Sequence, residues 1–211
     1  MVIMDVKIID NCCSPVQLDF FKYVACNSGS WHWRYPMSAS STLLGTDINV
    51  LTPFKDEVTI DQKFPKIDIV WNGIKDQFLT GLAMNVLLQI WEASGRDLFI
   101  PEMHFCGIAM KDKHREDNIH RDYEPNLGMI KITGVLNSDW DESWGGGMEC
   151  NGNYHYAKPT SFYVFDGAQP HRCSEIFTDK RRFMLDYTVF RDQQSLNRSP
   201  TKQRWGSENW I

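Results

Sequence analysis

The sequence predicts an α+β domain in which helices come first and a run of short strands follows. Three observations carry this. Between Asp76 and Ser94, Phe78, Leu82, Val86 and Ile90, with Leu79, Ala83 and Leu87, recur at helical spacing, and Gly95 supplies the stop. Nearer the N-terminus, Ser14-Pro15-Val16-Gln17 combines a capping serine, a first-turn proline and a glutamine able to complete a capping box. From Ile100 onward the pattern changes to short β-like runs divided by turns.

The first helix should run through Leu18, Phe21, Tyr23 and Val24 and stop near Asn27 to Gly29. Trp31 to Tyr35 then reads as irregular, followed by loops to about Pro65. The later runs are Met103–Met110, Ile119–Tyr123, Met129–Leu136, Met148–Cys150, Tyr154–Tyr156, Phe162–Phe165, His171–Ile176 and Arg182–Phe190. Asn151-Gly152 between two of them signals a tight hairpin. Strands in this number close into a barrel or a two-sheet roll. The expected organisation is one domain over 1–211: a helical and loop support region over 1–99, a catalytic core over 100–190 and a tail over 191–211. The tail is polar but holds Trp205 and Trp210, so part of it is expected to dock.

Composition narrows the function classes. A hydrophobic fraction of 42% with 13% aromatics fills a real core and argues against disorder. A net charge of −5 gives no broad cationic field for a phosphate backbone, which disfavours nucleic acid as a partner. No run approaches a membrane span, and the first residues lack the apolar stretch of a signal peptide. Cys12, Cys13, Cys26, Cys106, Cys150 and Cys173 form no CxxC pair or zinc-like spacing, so they read as reduced thiols of a cytoplasmic protein.

The chemistry lies in Ile119-His120-Arg121-Asp122-Tyr123. On a strand, His120 and Asp122 share a face while Arg121 points away. An imidazole and a carboxylate side by side are two thirds of the facial triad that holds non-haem iron(II) and leaves positions open. His171, at the head of another β-like run, is the best candidate for the third ligand. Alone, His-x-Asp also fits an exposed strand histidine beside an aspartate. Ligand imidazoles must be neutral, so metal affinity should fall below about pH 6.

The residues downstream of His-x-Asp sharpen the reading. Leu136-Asn137-Ser138-Asp139-Trp140-Asp141-Glu142-Ser143-Trp144-Gly145-Gly146 comes next, then Pro159 to Phe165, Phe165-Asp166-Gly167, His171, and Arg181-Arg182 at the head of a final strand. In this order the residues resemble the iron(II)/2-oxoglutarate-dependent oxygenases, in their prolyl hydroxylase-like branch, over about residues 100 to 190. The resemblance implies a double-stranded β-helix (jelly-roll) barrel with N-terminal helices packed on one sheet. It implies a metal held by His120, Asp122 and His171, these three also being the catalytic residues. The cofactors implied are Fe(II), 2-oxoglutarate as co-substrate and O2, with ascorbate as an accessory reductant. Dioxygen and 2-oxoglutarate would be turned into succinate, carbon dioxide and a hydroxylated C–H bond.

The far carboxylate of the co-substrate needs a bidentate cation, and only one of Arg181 and Arg182 can face the barrel interior. Arg182-Phe183-Met184-Leu185 resembles the family pattern and favours Arg182 over Arg181. Some members place a tyrosine before the Leu-Asn pair where this chain has Val135; Thr133, Tyr163 and Thr188 are the candidate substitutes. The leading substrate is a prolyl residue of a peptide or protein. A small-molecule or nucleobase oxygenase is the second reading, and a barrel that binds without turnover the third.

Several features are set aside. His104 and Cys106 mimic a metal pair on one strand face but read as core or channel lining, and His155 reads as a surface strand residue. Gly145-Gly146-Gly147 lacks the lysine and helix of a phosphate loop. Trp140 and Trp144 read as packing anchors. The charged run 111–118, which includes His114, has nothing apolar to anchor it and reads first as a solvated loop, with a lid that is mobile without substrate as the functional alternative.

Overall fold

The computed structural model describes residues 4–29, 31–34, 64–71, 74–113, 117 and 119–198. In chain order these form β1 (Lys7–Ile9), α1 (Pro15–Cys26), β2 (His32–Arg34), β3 (Phe64–Trp71), β4 (Ile74–Lys75), α2 (Gln77–Ala93) and β5 (Ile100–Lys111). Then come β6 (Met129–Val135), β7 (Met148–Cys150), β8 (Asn153–His155), β9 (Phe162–Asp166), β10 (His171–Cys173), β11 (Arg182–Phe190) and α3 (Gln193–Arg198). The strands form two antiparallel sheets. The larger runs β1-β9-β6-β11-β5-β3-β2, with β4 beside β3; the smaller runs β10-β7-β8.

Both long helices start as their sequences dictate. Ser14 Oγ accepts from the Gln17 N–H, and Pro15 occupies a position whose N–H would have had no partner. Asp76 caps α2 by accepting from the Leu79 N–H, and Gly95, at φ 83°, follows its end. Leu18, Phe21 and Ala25 of α1 and Leu79, Ala83, Val86, Leu87 and Ile90 of α2 join Ile130, Ile132, Phe162, Val164, Leu185, Tyr187 and Val189 in the main core. Tyr187 Oη donates to the Ala83 carbonyl, giving this buried hydroxyl a partner.

Strand alternation then decides what faces the other way. On β6, Lys131, Thr133 and Val135 point opposite to Ile130 and Ile132. On β11, Arg182, Met184, Asp186 and Thr188 point opposite to Leu185 and Tyr187. That face meets the smaller sheet, where Tyr163 and Phe165 pack on Met148 and Cys150, and Val135 and Met184 on Ile176. The polar residues of β6 and β11 therefore line the space between the sheets.

Several sequence expectations are corrected. Residues 1–99 are not only helices and loops, because β1 pairs with β9 and β3 with β5. Lys66-Ile67-Asp68-Ile69 alternates polar and apolar, but Pro65 at its head disguises it as loop. His32–Arg34, within the stretch read as irregular, is a strand. Ile119–Tyr123 is not a full strand: His120 makes an isolated bridge with His171, and both Asp122 and Tyr123 donate their N–H to the Gly167 carbonyl. His104 and Cys106 line the interior as read but do not share a face, since a register shift in β5 puts His104 against Tyr123 and Phe190 while Cys106 sits in the main core. The Asn151-Gly152 hairpin forms as read, both residues having positive φ, 50° and 76°. Within 111–118, Lys111 pairs with Asp117 and Lys113 with Asp179, while His114, Arg115, Glu116 and Asn118 lie outside the described residues, as do Trp205 and Trp210.

Candidate metal centre

The single His120–His171 bridge is enough to bring the two imidazoles together. His120 N–H donates to the His171 carbonyl and the reverse, both at 2.9 Å, and the ring centroids lie 4.5 Å apart. Asp122 then stands between them, with Oδ1 3.6 Å from His120 Nε2 and Oδ2 3.4 Å from His171 Nε2. One ligand atom from each of the three lies within 4.8 Å of the others, and no other such group of three occurs among the described residues. Two imidazoles and one carboxylate converging this closely fit a divalent metal of the iron(II) type with positions left open.

The tautomer of His171 is set by its surroundings. Its Nδ1 is 2.8 Å from the Gln169 carbonyl, which can only accept, so Nδ1 carries a hydrogen and Nε2 presents its lone pair towards Asp122 and the metal position. Burial alone would lower the pKa of His171, but the Asp122 carboxylate prevails and raises it. Burial likewise pushes Asp122 up, but Lys131, His171 and His120 hold it well below the usual carboxylate range. Burial, reinforced by Lys131, lowers His104 to about 4, so that ring stays neutral beside the site.

These shifts move the pH dependence expected from the sequence alone. A metal must displace the proton of His171, whose pKa lies above the ordinary 6.5. On acidification, metal affinity should therefore begin to fall as pH drops through that raised pKa, before about pH 6 is reached, as a Mn(II) titration from about pH 9 down to about 6 would read. For the metal-free protein the signs are opposite. The His171 contribution is full in acid and lost as pH rises through its raised value, whereas that of Asp122 persists until its lowered value is crossed in strong acid.

Lys131 is the residue that sequence reading missed. Its ammonium lies 3.2 Å from Asp122 Oδ2, 2.7 Å from Asp186 Oδ1 and 3.3 Å from Thr188 Oγ1. A charged residue inside Met-Ile-Lys-Ile-Thr-Gly-Val was the available signal, because a lysine is almost never buried without a paired charge.

Further along the same face of β11, Arg182 is 0% exposed, and among the described residues its Nε, Nη1 and Nη2 have no hydrogen-bond partner. Arg181, beside it, is exposed. Room for the guanidinium comes from Gly146: a Cβ there would meet Arg182 Nη1 at 3.0 Å and Ile176 Cγ1 at 3.0 Å, at a φ of +71°. Trp140 Nε1 donates to the Gly145 carbonyl and Trp140 packs edge-on to Trp144, so the Asp-Trp-to-Gly-Gly segment folds as one wall. Gly146→Ala combines backbone strain with the Arg182 clash and should cost about 1–3 kcal/mol in thermal unfolding. Of the three hydroxyls considered in place of Val135, Tyr163 Oη donates to the Tyr156 carbonyl and Thr188 Oγ1 accepts from Lys131 and Tyr123. Thr133 Oγ1 is buried without a hydrogen-bond partner among the described residues.

No family model matches the chain, and no curated protein matches it. Solved structures do. An oxidoreductase of the 2OG-Fe(II) oxygenase family from Burkholderia pseudomallei aligns with a TM-score of 0.59 at 12% identity, over 89% of this chain and 85% of that one. A prolyl hydroxylase from Trichoplax adhaerens, in complex with a hypoxia inducible factor peptide fragment, aligns with a TM-score of 0.54 at 13% identity, over 92% and 87%. A Pseudomonas putida prolyl-4-hydroxylase aligns with a TM-score of 0.51 at 16% identity, over 89% and 92%. The chain therefore has the prolyl hydroxylase-like fold of the 2-oxoglutarate/iron(II) oxygenases.

Proposed function

We propose that this protein is an Fe(II)- and 2-oxoglutarate-dependent dioxygenase that hydroxylates a C–H bond, with a prolyl residue of a peptide or protein as the first substrate class. The observation that carries the proposal is Arg182. Arg182 has no partner among the described residues; a buried cation left so is among the costliest features a fold can retain, and a dicarboxylate co-substrate would remove that cost by a two-point bond to the guanidinium. A metal-binding barrel without a co-substrate has no use for it.

The residues divide the work along the face between the sheets. His120, Asp122 and His171 would hold the iron, and Arg182 would hold the far carboxylate of 2-oxoglutarate, with Thr133 as the hydroxyl donor in place of a tyrosine. Bound there, iron(II) would supply oxygen activation, with one oxygen atom of O2 entering succinate as carbon dioxide leaves and the other entering the substrate C–H bond. Ascorbate would serve only to keep the iron reduced. The protein's part is to orient: the His171 tautomer and the bridge to His120 fix the ligands, and Gly146 leaves room for the Arg182 guanidinium, before the co-substrate arrives.

We read residues 1–211 as one oxygenase domain, with α1 and α2 backing the larger sheet. All six cysteines are free thiols, which supports a reducing, cytoplasmic setting. Among the described residues no helix is long and apolar enough to cross a membrane.

The test is succinate formation from 2-oxoglutarate with Fe(II) and air, run with a panel of proline-containing peptides, free amino acids and nucleobases, with products weighed by mass spectrometry. A mass gain of one oxygen on proline supports the full proposal. Oxidation confined to another class moves the substrate but keeps the enzyme. No iron-dependent succinate with any member sinks the enzymatic reading.

A further inference from the structure

Lys131 and Asp186 stand beside the triad as a charge pair that ligation alone does not require. The Lys131 side chain is 6% exposed and that of Asp186 is 24% exposed. The ammonium sits nearer to Asp186, at 2.7 Å, than to Asp122, at 3.2 Å. Phe105 lies beneath it, its ring centre 5.5 Å away, and Tyr123 reaches it through Thr188. A single ammonium is thus shared between a metal-ligand carboxylate and a second carboxylate that ligates nothing.

We propose that Lys131 and Asp186 form a counter-charge pair that sets how tightly the triad holds its divalent metal, with Lys131 as the positioning residue for Asp122. The inference rests on the reading of His120, Asp122 and His171 as the metal site. Lys131 competes with the metal for the negative charge of Asp122 and keeps Oδ2 engaged, so that Asp122 presents its other oxygen. Asp186 draws the ammonium towards itself and limits that competition. Balanced in this way, the triad binds its metal firmly with one carboxylate oxygen rather than two, and the remaining positions stay open for co-substrate and oxygen.

The two members of the pair must then act with opposite signs. Lys131→Met keeps the length of the side chain but removes the positive charge, and should tighten Mn(II) binding. Asp186→Asn keeps the shape but leaves Lys131 wholly to Asp122, and should weaken it. Even screening as strong as that of bulk water leaves each change on the order of tenfold for a unit charge this near a divalent ion. Lys131→Arg, which keeps the charge, should stay within about threefold of the parent, and Lys131→Met/Asp186→Asn should return towards it.

Mn(II) titration of the full-length protein and these four variants at about pH 8, with thermal melting to establish folding, reads the result. Opposite signs support the inference. A merely structural pair would weaken binding in both single variants or move neither, and either outcome overturns it. If Lys131→Met does not fold, Asp186→Asn decides alone: unchanged or tighter binding overturns the inference. A parent protein that binds no Mn(II) would instead overturn the triad reading itself, so the two failures are told apart.

Discussion

Asp122→Ala is expected to abolish divalent-metal binding and, with it, all iron-dependent succinate formation. Losing a group that merely supports a ligand lowers metal affinity roughly 10–100-fold, and losing the only anionic ligand should exceed that. The loss also reaches the metal-free protein. Asp122 is the carboxylate on which His171 and Lys131 converge, at 3.4 and 3.2 Å, and removing it leaves the buried ammonium with Asp186 as its one carboxylate partner among the described residues. Breaking a buried pair on one side costs about 3–5 kcal/mol, but the Asp122 side chain is 18% exposed, so a cost nearer about 1–3 kcal/mol is expected. His171 should then lose the influence that raises its pKa and titrate lower, as NMR of the imidazole would read. Retained Mn(II) affinity within tenfold of the parent would show that the metal site lies elsewhere.

How much of this was legible in the sequence depends on where each partner sits along the chain. His120 and Asp122 are two residues apart, so strand geometry alone puts them on one face, although the segment is held by one bridge and two N–H bonds to Gly167 rather than by a full strand. Arg182 rather than Arg181 turns inward because β11 alternates, and the alternation Arg-Phe-Met-Leu-Asp-Tyr-Thr is visible in the letters. β3 was hidden by Pro65, and its pairing with β5 is a long-range fact that no local pattern carries. Lys131 shows the same limit more sharply. An isolated lysine in an apolar strand marks an anomaly, but its meaning comes from Asp122 and Asp186, which only the pairing of β6 with β11 and the return of the chain at Gly167 bring within reach. Likewise the bulge that separates His104 from Cys106 reflects the register of β5 against β11, not the composition of β5.

Arg182→Met should separate stability from function. The parent guanidinium is 0% exposed and none of its three nitrogens has a partner among the described residues, so in the free protein it is a desolvated charge that none of them offsets. Methionine fills most of the same volume along Gly146 and Ile176 without the charge. Exchanging buried charged groups for apolar ones of similar volume is often stabilising by about 1–4 kcal/mol, so this variant should melt higher than the parent in the absence of co-substrate. It should bind Mn(II) normally, because the triad is untouched. Yet 2-oxoglutarate should no longer stabilise it, whereas the parent's melting temperature should climb with 2-oxoglutarate concentration as mass action requires. Arg182→Lys keeps the charge but not the two-point fork, and should leave the Michaelis constant for 2-oxoglutarate raised by one to two orders of magnitude, with metal affinity unchanged. The exposed Arg181 is the internal control: Arg181→Met should alter neither the melting temperature nor the response to 2-oxoglutarate. A parent-like response in Arg182→Met, paired with a lost response in Arg181→Met, would reverse the assignment and leave the buried guanidinium without a ligand.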